Sequence, residues 1–176
     1  MYRYGLVLLS VFCFTLLLGL SNLAVAKMPG AIDMPDRKRF AVSCQAVELL
    51  DARLDMVPPI GPASGPAQFM IGGRFELATA TVQLLGPPML SEDGTAAIMV
   101  QIQYDFGGGD VLLAFSNGML SDSGSRGVFI NNAIIGYMGG SGRYEKAYGR
   151  FQATGVLNFE DFLVEMQGAG EVCNIK

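Results

Sequence analysis

The sequence contains no histidine and no tryptophan, and the missing histidine excludes several kinds of active site. A Ser-His-Asp or Cys-His centre needs an imidazole as its base, so neither can be built from this chain. Cysteine is also scarce, with three residues in all. A zinc site is not formed by two thiolates alone, so we expect no metal site.

Charged residues make up only 16% of the chain, and the formal net charge is −4. A mildly acidic protein with few basic residues cannot neutralise a polyphosphate backbone, which makes nucleic acid a poor partner. The glycine-rich stretch 139–142 is not a phosphate loop, because neither a Lys-Ser/Thr pair nor a helical apolar stripe follows it. The functions that remain are binding or catalysis that depends on the shape of a site and on apolar contacts.

The first 26 residues have the features of a secretory signal peptide. Arg3 supplies the positive charge, an apolar run extends from Gly5 to Leu20, and the segment ends in small residues at Ala24 and Ala26. We expect cleavage near Ala26 and a secreted or periplasmic protein. The alternative is an uncleaved membrane anchor, because the apolar run approaches the roughly 20 residues that span a bilayer. Residues 27–39, rich in proline and charge, are predicted to be a flexible arm.

Cys44 and Cys173 are the only cysteines after the predicted signal peptide, and they lie near opposite ends of the remaining chain. Export would place them in an oxidising compartment, which favours a disulfide between the first and last strands. Closing so long a loop would stabilise the fold by about 5 kcal/mol in the chain-entropy model. Two buried free thiols are the alternative.

Residues 40–176 show the period-two alternation of β-strands. The clearest example is 95–106, where Ala96, Ile98 and Val100 begin one apolar face. Glycine and proline clusters separate seven or eight such segments at hairpin spacing, and residues 56–67 are predicted to be a proline-rich loop. Since several strands are apolar on both faces, we expect either a closed barrel with an apolar cavity and an exterior covered by other subunits, or a two-sheet sandwich.

One segment carries a more specific motif. Residues 134–149 read IIGYMGGSGRYEKAYG, in which an apolar strand meets a glycine cluster that should interrupt it, and an aromatic residue and a second strand follow. This segment resembles the glycine corner of the allene oxide cyclase and dirigent superfamily, with Ser141 where the family usually has threonine. The matching positions are Gly139, Gly140, Gly142, Tyr144, Ala147 and Gly149.

The resemblance implies an eight-stranded antiparallel barrel of calycin-like form with an apolar pocket, assembled as a homotrimer or homodimer. It also implies cofactor-free cyclase or isomerase chemistry on an unsaturated apolar substrate. In that family the glycine corner marks the fold and carries no catalytic residue. The resemblance therefore supports the predicted fold more strongly than it supports an activity.

Polar residues on the predicted strands are the candidates for a site in such a pocket. A carboxyl or phenol group without water around it has a shifted pKa and can donate to an epoxide or carbonyl oxygen. For each of them the alternative is a structural or solvent-facing role. The catalytic candidates are Glu76, Tyr104, Arg150 and Glu165, and the ligand-binding candidates are Arg74, Gln101, Gln103 and Tyr137.

Two functions follow from these observations. The first is an exported barrel that binds a hydrophobic small molecule and acts on it as a cyclase or isomerase. The second is a non-catalytic carrier of a lipid or similar ligand, or an interaction module of the cell envelope. A methionine-rich interior, with Met99, Met119, Met138 and Met166 among its residues, would suit an irregular guest, although methionines also serve ordinary cores and subunit interfaces.

Overall fold

A computed structural model describes residues 43–176, which form strands and turns and contain no α-helix. The predicted signal peptide and flexible arm lie outside the described residues. The strands are β1 (Cys44–Met56), β2 (Ala63–Ile71), β3 (Arg74–Leu84), β4 (Met89–Leu90), β5 (Ala96–Asp105), β6 (Val111–Asp122), β7 (Val128–Ser141), β8 (Tyr148–Asn158) and β9 (Leu163–Cys173).

All strand pairs are antiparallel, and the sheet closes on itself. Neighbouring strands follow the order β3-β2-β1-β9-β8-β7-β6-β5-β4, and β3 also pairs with β5. That last pairing, which runs from Thr79 opposite Asp105 to Leu84 opposite Val100, completes a ring of eight strands with the two-residue β4 as an addition. The predicted eight-stranded barrel is confirmed, and the sandwich alternative is wrong.

The alternating sequence explains which side chains fill the barrel. On β5 the side chains of Ala96, Ile98 and Val100 are buried, whereas Met99 between them is exposed. Such alternation places every second residue inside a closed sheet. The interior is therefore one continuous apolar core that receives side chains from all eight strands of the ring.

Glycines make the tight β2–β3 turn possible. Gly72 and Gly73 connect these strands with φ angles of 55° and 80°, a left-handed conformation that costs glycine little.

The predicted proline-rich loop is shorter than expected, because β2 begins at Ala63 and Pro66 lies within the strand. Pro66 has no N–H to donate, and the register between β1 and β2 assigns it no partner on β1.

The glycine corner does not interrupt β7 as the sequence suggested. Gly139 and Gly140 continue the strand to Ser141, and a 3₁₀ turn over Gly142–Tyr144 follows. A Cβ on Gly140 would lie 1.8 Å from the backbone oxygen of Val111 on β6. The corner thus allows two backbones to approach more closely than any side chain would permit.

The predicted disulfide is formed. Cys44 and Cys173 are directly opposite in the β1–β9 ladder, and their sulfur atoms are bonded. This bond joins the first and last strands of the ring at the end of the barrel where β1 begins and β9 ends.

Candidate functional site

The two ends of the barrel differ, and one of them is closed by charged groups. The Arg143 guanidinium, carried by the 3₁₀ turn, donates to both carboxylate oxygens of Glu76 on β3, with Nη1 2.9 Å from Oε1. Its Nε lies 3.3 Å from Oδ2 of Asp110, close enough for ionic attraction but poorly aligned for a hydrogen bond. Asp110 also accepts from the Arg143 backbone N–H at 3.0 Å. We call this end, with the disulfide beside it, the closed end.

Aromatic rings lie beneath this charged group. The Arg143 guanidinium sits 4.7 Å from the ring centroid of Tyr144 and 5.4 Å from that of Phe106, within the range of cation–π attraction. Phe106 in turn packs on Phe69, whose ring meets Tyr104 edge to face at 5.0 Å. These rings fill the half of the barrel nearest the closed end, and a polar cleft above them is lined by Arg74, Glu76 and Arg143.

The other half of the barrel contains an apolar cavity of about 100 Å³. Its walls are formed mainly by aliphatic side chains from the ring of strands, together with Tyr104 and Met166. No charged side chain of the described residues lines it. The lining residues include Leu49, Leu54, Met56, Ile60, Ala80, Val82, Leu84, Ile98, Val100, Ile102, Leu120, Ile135 and Leu157.

Two short polar side chains interrupt this apolar wall. Ser116 on β6 and Asn131 on β7 both line the cavity and are 5% and 6% exposed. The Asn131 side-chain N–H donates to the Met166 sulfur at 3.4 Å, but its Oδ1 is buried without a hydrogen-bond partner. Leaving a buried carbonyl unpaired costs about 1–3 kcal/mol, so this amide lowers the stability of the empty barrel.

Exposed apolar residues surround the mouth of the cavity. Val57 and Ile60 lie in the β1–β2 loop and are 57% and 48% exposed, and Ile60 also contacts the cavity. Leu85, Met89 and Leu90, after β3 and on β4, are exposed on the same end, with Leu90 at 83%. We call these five residues the apolar rim, and the end that carries them the open end. An apolar molecule that approaches this end meets apolar surface before it reaches the cavity.

Two of the predicted tyrosines are buried but have different surroundings. Tyr104 lines the cavity, and burial raises the pKa of its phenol, which therefore stays neutral in the physiological range. Tyr137 stacks on Phe151 with ring centroids 5.4 Å apart, and its hydroxyl is buried without a partner. Burial, with smaller contributions from Tyr104 and Tyr144, raises the pKa of Tyr137 well above its ordinary value.

The remaining predicted site residues do not line the cavity. Glu76 is engaged by Arg143 at the closed end. The others lie on strands but are exposed or, for Gln101, half-buried: Arg74, Gln101, Gln103, Arg150 and Glu165. Of all the candidates, Tyr104 alone is a cavity residue. Ser116 and Asn131 were not selected from the sequence, although the polar Asn131 within an otherwise apolar strand was a visible signal.

The barrel exterior carries a second apolar surface, formed by β5, β6 and β7. Phe115 lies opposite Gly136, and Ile134, which is 57% exposed, lies opposite Asn117. The expectation that Met99, Met119 and Met138 fill the interior is wrong, because all three are exposed on this surface. We call it the outer apolar face; its members are Met99, Phe115, Met119, Ile130, Ile134 and Met138.

Among the described residues, one grouping has the spacing of metal ligands: Cys44, Cys173 and Glu171. The two sulfur atoms are bonded to each other, so the group offers no thiolate.

Residues 43–176 also include no helix that is long and apolar enough to cross a membrane. Comparison of the chain with protein-family models, curated proteins and solved structures finds no match.

Proposed function

We propose that this protein is an exported β-barrel that binds a hydrophobic small molecule in the cavity of its open half. The observation that carries the proposal is the cavity itself, which has aliphatic walls and an apolar rim at its mouth. Concave apolar sites with a few convergent polar groups are the usual form of small-molecule sites. The closed end gives the cavity a floor of packed aromatic rings.

The size of the cavity limits the guest. An apolar cavity of about 150 Å³ holds a benzene molecule. At about 100 Å³ the cavity is smaller than this, so without any movement it holds the end of a chain whose remainder contacts the rim. A guest of one ring or two fused rings requires the side chains at the mouth, such as Ile60 and Met56, to move apart.

The chemistry of the walls favours binding over catalysis. Acid–base catalysis needs a group that gains or loses a proton near the working pH, and no charged side chain of the described residues lines the cavity. Burial raises the pKa of Tyr104, so it stays a neutral phenol that can donate or accept a hydrogen bond but does not change its charge. A cofactor-free cyclase or isomerase is the second candidate. It is supported by the glycine-corner resemblance and by the hydroxyls of Tyr104 and Ser116, with selectivity supplied by the shape of the cavity.

Two further properties belong to the proposal. The Cys44–Cys173 pair supports a secreted or periplasmic location, because disulfides persist in oxidising compartments. The outer apolar face supports assembly into a homodimer or homotrimer, because large exposed apolar patches mark interaction sites. Sedimentation of the purified protein tests the assembly: Ile134→Glu should yield monomers, whereas a monomeric wild type would contradict it.

Solvent extraction and ligand titration test the binding function. We expect mass spectrometry of an organic extract of natively purified protein to show a retained apolar compound. We also expect indene, a small apolar hydrocarbon, to bind the emptied barrel and to shift the NMR signals of cavity methyl groups such as those of Val100. Absence of both retained compound and indene binding would contradict the proposal. Conversion of an added unsaturated epoxide to a cyclic product would support the cyclase instead.

A matched pair of variants locates the guest. Ala80→Leu adds bulk inside the cavity, and it should weaken indene binding at least tenfold because the new side chain takes up the space. Thr79→Leu makes a similar change on the adjacent residue, which faces outward, and should leave binding unchanged. Equal effects of the two variants would place the guest elsewhere.

A further inference from the structure

We infer that Asn131 is the polar recognition residue of the cavity and that its guest is an uncharged, ring-sized molecule with one N–H or O–H donor. The inference rests on the proposed binding function and specifies the class of guest. The observation behind the inference is that Asn131 is only 6% exposed and that its Oδ1 has no hydrogen-bond partner.

The present contacts of Asn131 leave its acceptor free. Its Nδ2 lies 3.4 Å from the Met166 sulfur, which is a weak acceptor and cannot donate. This contact gives the N–H group of the amide a partner, whereas the carbonyl oxygen has none. Buried polar side chains in native proteins are mostly paired, so an unpaired acceptor on a cavity wall indicates a partner that arrives from outside the chain.

The neighbouring strand β6 leaves space for the carbonyl group of Asn131, because it has a glycine at the point of contact. A Cβ on Gly118 of β6 would lie 2.6 Å from Asn131 Oδ1, so a side chain at position 118 would displace the amide. Ser116, two residues along the same inward face of β6, adds a hydroxyl to the cavity wall. The polar side chains of the cavity are therefore on the neighbouring strands β5, β6 and β7, as Tyr104, Ser116 and Asn131, whereas β1, β2 and β3 contribute apolar side chains.

A guest can reach the carbonyl through a small motion. The terminal torsion of asparagine is broad, so the amide plane can turn toward the cavity at little cost. The weak contact with Met166 does not prevent this turn. A guest that donates one hydrogen bond then completes the pairing of the amide.

The surroundings also set the charge of the guest. No charged side chain of the described residues lines the cavity, so a charged guest would be buried without a counter-ion. A neutral donor attached to an apolar ring satisfies Asn131 and leaves the aliphatic walls in contact with carbon atoms. This chemistry describes a small heteroaromatic ring with an N–H, or a small cyclic alcohol.

Three bicyclic compounds of nearly equal shape test the inference. Indole carries an N–H donor, benzofuran carries an oxygen acceptor, and indene carries neither group. We expect calorimetric titration of the wild type to give a Kd for indole about fivefold lower than for indene, as a neutral hydrogen bond provides. The Kd for benzofuran should be close to that for indene.

Asn131→Leu should remove the preference for indole, so that the Kd values for indole and indene become equal. Asn132→Leu, which changes the neighbouring exposed residue, should preserve the preference. In ¹⁵N-labelled wild type, indole but not indene should shift the signals of the Asn131 side-chain amide. That measurement tests the contact even if Asn131→Leu does not fold.

Each contrary outcome has a separate meaning. Equal affinity for indole and indene would overturn the inference and leave the proposed binding function standing. A preference for indole that persists in Asn131→Leu would overturn the role of Asn131, and a preference for benzofuran would overturn the role of its carbonyl. Failure of all three compounds to bind would contradict the proposed function itself.

Discussion

Arg143 and Glu76 form a two-point ion pair that joins the turn after β7 to β3, across the closed end of the barrel. The two side chains are 31% and 15% exposed, so the pair is shielded from water more than a surface salt bridge. Tyr144 adds a donor to the same carboxylate, with its hydroxyl 3.3 Å from Oε2. The group connects two strands that are not neighbours in the ring.

We predict that Arg143 and Glu76 are coupled energetically. Glu76→Gln and Arg143→Gln should each lower the free energy of unfolding, and a double-mutant cycle should give a coupling of about 2 kcal/mol. Urea unfolding followed by fluorescence or circular dichroism measures it. The exposed pair Arg126 and Glu160 is the control, and its coupling should be near zero. Equal coupling in the two cycles would contradict the role of burial.

The Cys44–Cys173 bond should be the largest single contribution to stability that can be removed without changing the core. It closes a sequence separation of 129 residues, for which the chain-entropy model gives about 5 kcal/mol. We expect the Cys44→Ser/Cys173→Ser variant to unfold at a much lower urea concentration than the oxidised wild type. Reducing agent should bring the wild type close to the variant and leave the variant unchanged. A variant as stable as the wild type would refute this prediction.

Tyr137→Phe should stabilise the protein, in contrast to most core substitutions. It removes a buried hydroxyl that has no partner and keeps the ring that stacks on Phe151. We expect a gain of about 1 kcal/mol at pH 7, measured by urea unfolding. Tyr148→Phe, at a half-exposed position, should change stability little. A loss of stability in Tyr137→Phe would show that the hydroxyl has a partner.

The same variant should change the pH dependence of stability. The pKa of Tyr137 is raised in the folded state, so above pH 10 the unfolded chain loses a phenolic proton that the folded chain keeps. Titration of this phenol therefore leaves the stability of the wild type unchanged below about pH 10 and lowers it as the pH rises further. Between pH 9 and pH 11 the wild type should therefore lose more stability than Tyr137→Phe. Parallel pH profiles would contradict this expectation.

Gly140 should tolerate no side chain. Its Cβ would collide with the backbone oxygen of Val111, and backbone cannot move aside as a flexible side chain can. We expect Gly140→Ala to lower stability by about 3 kcal/mol or to prevent folding. Gly136→Ala is the control on the same strand, because a Cβ there meets nothing within 4 Å. Thermal unfolding of both variants tests the difference, and equal effects would contradict it.

Most of the fold could be predicted from the sequence, because the signals for strands and turns are local. The alternation in 95–106 predicted the buried face of β5, and the glycine pairs predicted the hairpin turns. Pro66 was wrongly assigned to a loop, because the sequence does not show that its missing N–H faces a gap in the β1–β2 ladder. Closure through β3 and β5 is a long-range pairing that alternation favours but does not specify.

The site was less predictable, because alternation shows that two faces exist but not which one lies inside. The candidates Arg150 and Glu165 were chosen for their polarity, and both lie on the exposed face. Met99 and Met138 were expected inside and lie outside. Asn131 became a candidate only when its neighbours were known, since the importance of its amide depends on the space above Gly118.

The covalent cross-link between Cys44 and Cys173 restricts local opening of the barrel at one end. It lies at the same end as the Arg143 ion pairs, whereas the opposite end is bordered by the two-residue β4 and a six-residue connection from Val57 to Pro62. Thermal fluctuations should therefore begin at the β4 end, where amide protons will exchange with solvent first. Under the proposed function, a guest would enter and leave by local loosening of that end while the cross-linked end keeps the strands in register.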